Sequence, residues 1–174
     1  MKNDITAISI ANYLIEKYEV NNLYLQKLLY YLQNNYMYKN DGSLLFEEKI
    51  QKWKLGPVIP DVYHAFKENG TSNIIEPYQQ YDIKIDNGSL TIEEKNDELP
   101  EGIKKFINST MVDLLKYDKF ELVNLTHKHP EWAKYEKEIL NGSKNLEYDY
   151  KSLYEYFKKN PKKLLVSIDE WWRS

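Results

Sequence analysis

The chain has 174 residues, 42% hydrophobic and 14% aromatic, with no cysteine and a formal net charge of -3. A chain this long suits one domain with a substantial core, and its apolar content argues against disorder. The charge disfavours nucleic acid as a partner, the lack of cysteine excludes disulfides and thiolate chemistry, and no apolar run approaches the roughly 20 residues that span a bilayer.

Met1 to Thr6 is polar and has no signal-peptide core, so cytoplasmic residence is expected. Ala7, Ile10, Ala11, Leu14, Ile15 and Tyr18 follow helical spacing, with Asp4 or Thr6 in position to cap the first turn. After Asn21-Asn22, a second helix carries Leu25, Leu28, Leu29, Leu32 and Tyr36 as its core stripe, which leaves Lys27, Gln33 and Asn34 for water. Of the adjacent pair Tyr30 and Tyr31, at most one is expected at the centre of the core, because neighbours on a helix point about 100° apart. Asp41-Gly42 ends this helix.

Gly56-Pro57 then predicts a rigid, non-helical corner, with positive φ at the glycine. Pro60 opens a helix with Val62, Tyr63 and Phe66 facing inward, stopped by Glu68-Asn69-Gly70. Tyr81-Asp82-Ile83-Lys84-Ile85 and Leu90-Thr91-Ile92 alternate around Asn87-Gly88 and predict a β-hairpin. Because an isolated hairpin is marginal, it is expected to pack on the helices or to pair with chain near Leu45-Phe46 or over 49–53.

Pro100 opens a further helix with Ile103, Phe106, Ile107, Thr110, Met111 and Leu114 on one side. A shorter helix or turn over 120–127 offers Phe120, Val123 and Leu125 for burial, and Pro130 interrupts it. One helix over about 131–140 closes at Asn141-Gly142, and Tyr150, Leu153, Tyr154 and Phe157 form the last stripe before Asn160-Pro161. The tail from Leu164 to Trp172 is too apolar for a solvated terminus and is expected to dock, with Ser167-Ile168-Asp169-Glu170 as a capping box for a terminal helix bearing Trp171 and Trp172. The fold class is therefore mainly α, a compact helical domain with a small β-hairpin or sheet.

Three groups of residues stand out together: Leu25-Gln26-Lys27-Leu28-Leu29-Tyr30-Tyr31 with Leu45-Phe46-Glu47-Glu48, then the run from Trp53 through Gly56-Pro57 to Tyr63, then Leu122-Val123-Asn124-Leu125-Thr126-His127 with Pro130 and Trp132. In order and spacing they resemble the Panacea domain family, the SocA-like antitoxin and phage-associated GepA-type proteins. The resemblance runs from the first helix to about Ile139 within a single domain over 1–174, to which the apolar 160–174 is expected to dock as an extension. It implies an antitoxin that neutralises a cognate toxin by direct binding or by delivering it to a protease, and it does not imply an enzyme. The alternatives are a phage-encoded inhibitor or adaptor acting on a host protein, and a DNA-binding regulator, which the charge disfavours. The expected partner is a protein, without nucleic acid or membrane, and with self-association left open.

Chemical motifs offer little competition. His127 and His129 are the one close histidine pair, yet further ligands with metal-site spacing are missing, so no metal is expected. The chain has no Gly-x-Ser-x-Gly elbow and no glycine-rich phosphate loop, so neither catalytic residues nor a cofactor are expected. The candidate partner-binding residues are Tyr31, Trp53, Lys54, Gly56, Pro57, Tyr63, His127 and Trp132. For Trp53, Gly56 and Pro57 a structural corner competes with a presented surface.

Overall fold

The computed structural model describes residues 4–167 of the chain. Helix α1 (Ala7–Lys17) starts at a capping box in which Thr6 Oγ1 accepts from Ser9 N–H and Ser9 Oγ accepts from Thr6 N–H. Its stripe of Ala7, Ile10, Ala11, Leu14 and Ile15 is buried, as the spacing predicts. Asn21 then caps α2 (Asn22–Lys39) through Tyr24 N–H, and positive φ at Asp41 and Gly42 turns the chain out of it.

Helix α2 is the centre of the molecule. Around it lie α1, α3 (Pro60–Phe66), α4 (Glu101–Leu114), α5 (Lys119–His127) and α8 (Tyr150–Lys159). Surrounded in this way, it has no wet side, and the expected solvent positions of Lys27, Gln33 and Asn34 are all buried. Tyr30 and Tyr31 are both fully buried too, because two different sides of the helix meet protein. Buried polar groups need partners: Gln33, Gln26, Asn22 and Asn35 find them in the backbone of neighbouring segments, while Asn34 donates within its own helix to Tyr30 O. Gln33 accepts from the N–H groups of Leu45 and Phe46 and donates to Phe46 O, while Gln26 accepts from Ile59 N–H. Asn22 donates to Tyr63 O, and Asn35 to Leu164 O. The polar side chains of α2 thus fasten otherwise irregular chain to the core.

Strands β1 (Gln51–Trp53) and β2 (Gly56–Val58) pair antiparallel, with Trp53 opposite Gly56. A passing segment reinforces β1: Lys52 N–H donates to Leu146 O and Tyr148 N–H donates to Ile50 O. Pro60 stands at the first position of α3, as expected. The Asn87-Gly88 hairpin also forms, from β3 (Tyr81–Asp86) and β4 (Ser89–Glu94), with positive φ at both turn residues. Its expected packing does not occur. Both strands are exposed at every position, and the segment near 49–53 pairs with β2 and the Leu146–Tyr148 chain instead.

In α4, Ile107, Thr110, Met111 and Leu114 are buried and Ile103 and Phe106 lie at the core edge. Helix α5 begins at an Asp118/Glu121 capping box and buries Leu122, Val123 and Thr126; Phe120, expected inside, is exposed because at about 100° per residue it lies off the face those three make. The single helix expected over 131–140 is two short ones, α6 (Pro130–Ala133) and α7 (Glu136–Leu140). Leu153 and Phe157 of α8 are buried against α2. Beyond it Leu164 and Val166 enter the same core and Ser167 N–H donates to Asp113. The terminal helix and the placement of Trp171 and Trp172 lie outside the described residues. Among the described residues, no helix is long and apolar enough to cross a membrane.

Candidate partner-binding site

The tight turn between β1 and β2 brings three distant parts of the sequence together. Gly56 (φ +94°) passes so close to α5 that a Cβ there would lie 2.6 Å from Thr126 Oγ1 and 3.2 Å from Lys27 Cε. Only glycine meets both the positive φ and the close approach. The next carbonyl, Pro57 O, accepts from Lys27 Nζ at 2.9 Å. Lys27 is wholly buried, and burial holds its ammonium pKa down to about 7. The corner is thus clamped between α2 and α5.

On the outer side of the corner runs an aromatic row. The His127 ring stacks on Trp132 with centroids 3.8 Å apart, Trp132 Nε1–H donates to Trp53 O at 2.9 Å, and the Trp53 ring meets Tyr63 edge-on at 4.8 Å. Trp53 is braced further by its Nε1–H bond to Gln51 Oε1. Burial lowers the His127 pKa below the usual imidazole value, with the Lys54 backbone opposing and the Lys27 charge assisting. The other histidine of the pair faces elsewhere: His129 Nδ1 is hydrogen bonded to Tyr30 OH at 2.8 Å inside the core, and burial lowers its pKa to about 4.

Trp53 and Tyr63 also wall a groove of about 990 Å³, together with Leu55 and Val58. Leu55 projects from the β1–β2 turn and is 52% exposed. Lys52, Lys54, Lys67 and Lys144 line the same groove and, among the described residues, no carboxylate does, although Lys52 is engaged by Glu131 at 3.5 Å and by the Tyr135 ring. A groove of this kind has an apolar floor for a side-chain anchor and a basic rim for acidic neighbours.

Of the eight candidate residues, Trp53, Lys54 and Tyr63 reach this groove, and His127 and Trp132 support it from behind. Gly56 and Pro57 are buried and shape the corner without offering surface. Tyr31 is removed from the candidates: its ring is fully buried, edge-on to Tyr30 and His129. Leu55, Leu23 and Val58 line the groove without having been singled out. An apolar Leu55 beside Gly56, in a turn that hydrophobicity alone would not expose, was the available sign.

The model of the family described as "Antitoxin SocA-like, Panacea domain" matches residues 25–133. Antitoxin SocA of Caulobacter vibrioides is 31% identical over 108 residues, covering 59% of this chain and 57% of that protein. The chain thus aligns with little more than half the length of this relative. No solved structure matches significantly. The family match contains α2 from Leu25 onward, the clamped Gly-Pro corner, α5 and Trp132, and the chain belongs to the SocA-like antitoxin, Panacea domain family.

Proposed function

We propose that this protein is an antitoxin that silences a cognate toxin by binding it directly, and that the groove beside Trp53 and Tyr63 receives a segment of that toxin. Family membership supports the antitoxin role. The observation that carries the site is Leu55, an exposed leucine held at the groove mouth by a corner whose backbone is braced by two helices. A rigid anchor of this kind loses little entropy on binding. The basic rim favours a toxin segment with an apolar anchor flanked by acidic residues. Such binding acts by occlusion and needs no catalytic group.

The test is co-expression of this chain with each neighbouring open reading frame, scoring growth rescue and co-purification together. Rescue with co-purification, both lost in Leu55→Asp and Tyr63→Ala while thermal stability is kept, is the expected result. Rescue without co-purification would replace occlusion by another mechanism. Neutral groove variants alongside intact rescue would move the interface elsewhere.

A further inference from the structure

Hairpin β3–β4 is two-sided. Its register puts Ile83 opposite Ile92, Ile85 opposite Leu90 and Tyr81 opposite Glu94. Residues two apart share a face, so Tyr81, Ile83, Ile85, Leu90 and Ile92 form one continuous apolar face broken only by Glu94 at the base. The other face carries Asp82, Lys84, Asp86, Ser89, Thr91 and Glu93, with Lys84 and Glu93 paired at 2.7 Å. The polar face needs no cover. On the apolar face, Ile83, Ile85, Leu90 and Ile92 are each between 60% and 76% exposed.

The hairpin is nevertheless attached firmly at its base. Asn12 exchanges hydrogen bonds with the backbone of Tyr78 and donates to Asp97, Lys95 N–H donates to Gln80 O, and Gln80 reaches Asp97. These contacts fix where the hairpin leaves the body and leave its aliphatic face uncovered.

We propose that this face is a homodimer interface, covered by the same face of a second copy of the chain. A two-stranded hairpin without a packed face is marginal in water, so its cover must be permanent, and a second copy is present whenever the protein is made. A twofold pair stacks the hairpins face to face, at the roughly 10 Å spacing of packed sheets. Asp82, Asp86 and Glu93 then stay in water on the two outer surfaces, so the acidic character of the hairpin does not oppose pairing. The two five-residue apolar faces together remove on the order of 1,000 Å² from solvent, the area a specific interface must clear. A face with no charge except at its base has nothing with which to select a charged partner, whereas its own twofold image matches it in length and character.

Sedimentation of the full chain tests this. Wild type is expected at twice the monomer mass, and Ile83→Asp/Ile92→Asp at the monomer mass with unchanged helical circular dichroism. Thr91→Asp, on the opposite face, should keep the dimer. Because the chain has no cysteine, Ile83→Cys adds an independent reading: a short bis-maleimide should link two copies through it and should not link them through Lys84→Cys. A monomeric wild type at the highest soluble concentration overturns the proposal, as does a dimer that survives Ile83→Asp/Ile92→Asp. A monomeric wild type whose Ile83→Asp/Ile92→Asp variant loses growth rescue assigns the face to the toxin and equally overturns it. None of the mass readings depends on toxin binding, so the antitoxin reading stands or falls separately.

Discussion

Gly56 and Thr126 lie in different blocks of the sequence, yet a single methyl group on Gly56 would stand 2.6 Å from the Thr126 hydroxyl. This approach explains why the corner and the Thr126-His127 element belong to one unit: the backbone of β2 rests on the side of α5. Thr126 Oγ1 is itself held by donating to Val123 O, so it has little freedom to withdraw.

Gly56→Ala is therefore expected to be strongly destabilising. The positive φ costs about 1–2 kcal/mol for a residue with a Cβ, and forcing an atom into packed surroundings adds about 1–3 kcal/mol. Thr126→Ala in the same chain should recover part of the loss, the steric part, and leave the conformational part. Denaturant melts of the two single variants and the double variant measure this coupling; additive effects would show that Thr126 does not obstruct the methyl group.

Gln33 supplies a second comparison. Its carboxamide holds Leu45 N–H, Phe46 N–H and Phe46 O, and Gln33→Leu would remove these bonds and strand the N–H and carbonyl of Phe46. An unsatisfied buried polar group costs about 1–3 kcal/mol, whereas Leu28→Ala, a large-to-small core change, costs about 2–5 kcal/mol. Gln33→Leu should thus be at least as damaging as Leu28→Ala, despite being the more hydrophobic substitution. Chemical denaturation ranks them, and a mild Gln33→Leu would mean that the 45–46 segment finds other partners.

Lys27 makes stability depend on pH in the alkaline direction. Its folded pKa, about 7, lies below the unfolded value near 10.4, so between these pH values the unfolded chain holds more protons. Stability then rises with pH across that window. Above it the buried hydroxyls of Tyr30, Tyr31 and Tyr148 reverse the trend, because burial raises their pKa values and the unfolded chain loses protons first. Thermal melts should show a rise in Tm from pH 7 to pH 9 that Lys27→Met abolishes. A rise that persists in Lys27→Met would assign it to another group.

His129 acts on the acidic side by the same reasoning. Its folded pKa of about 4 lies below the usual value near 6.5, so stability contributed by the neutral ring falls as pH drops from about 6.5 towards 4. An NMR titration of the imidazole should find His129 still neutral at pH 5.5. A midpoint at the ordinary histidine value would place the ring in water instead of against Tyr30.

Local chemistry in the sequence determined much of this protein. The capped start of α1, the end of α2 at Asp41-Gly42, the positive φ of Gly56, the start of α3 at Pro60 and the Asn-Gly hairpin all depend on groups within a few residues of each other. Trp53, Lys54 and Tyr63 were legible as a candidate surface for the same reason, since the corner that presents them is local. Only the tertiary structure decided which polar residues went inside. Lys27, Gln33 and Asn34 look solvated on a single helix, but α2 is enclosed by five others, and their burial is stabilised by backbone groups that lie 12 or more residues away for Lys27 and Gln33, as Pro57 and Phe46 show. The same enclosure buried Tyr30 and Tyr31 together. The hairpin erred in the opposite direction: its alternation predicted an apolar face, but what covers a face is set by which surfaces remain after the helices have packed, and no local interaction encodes that.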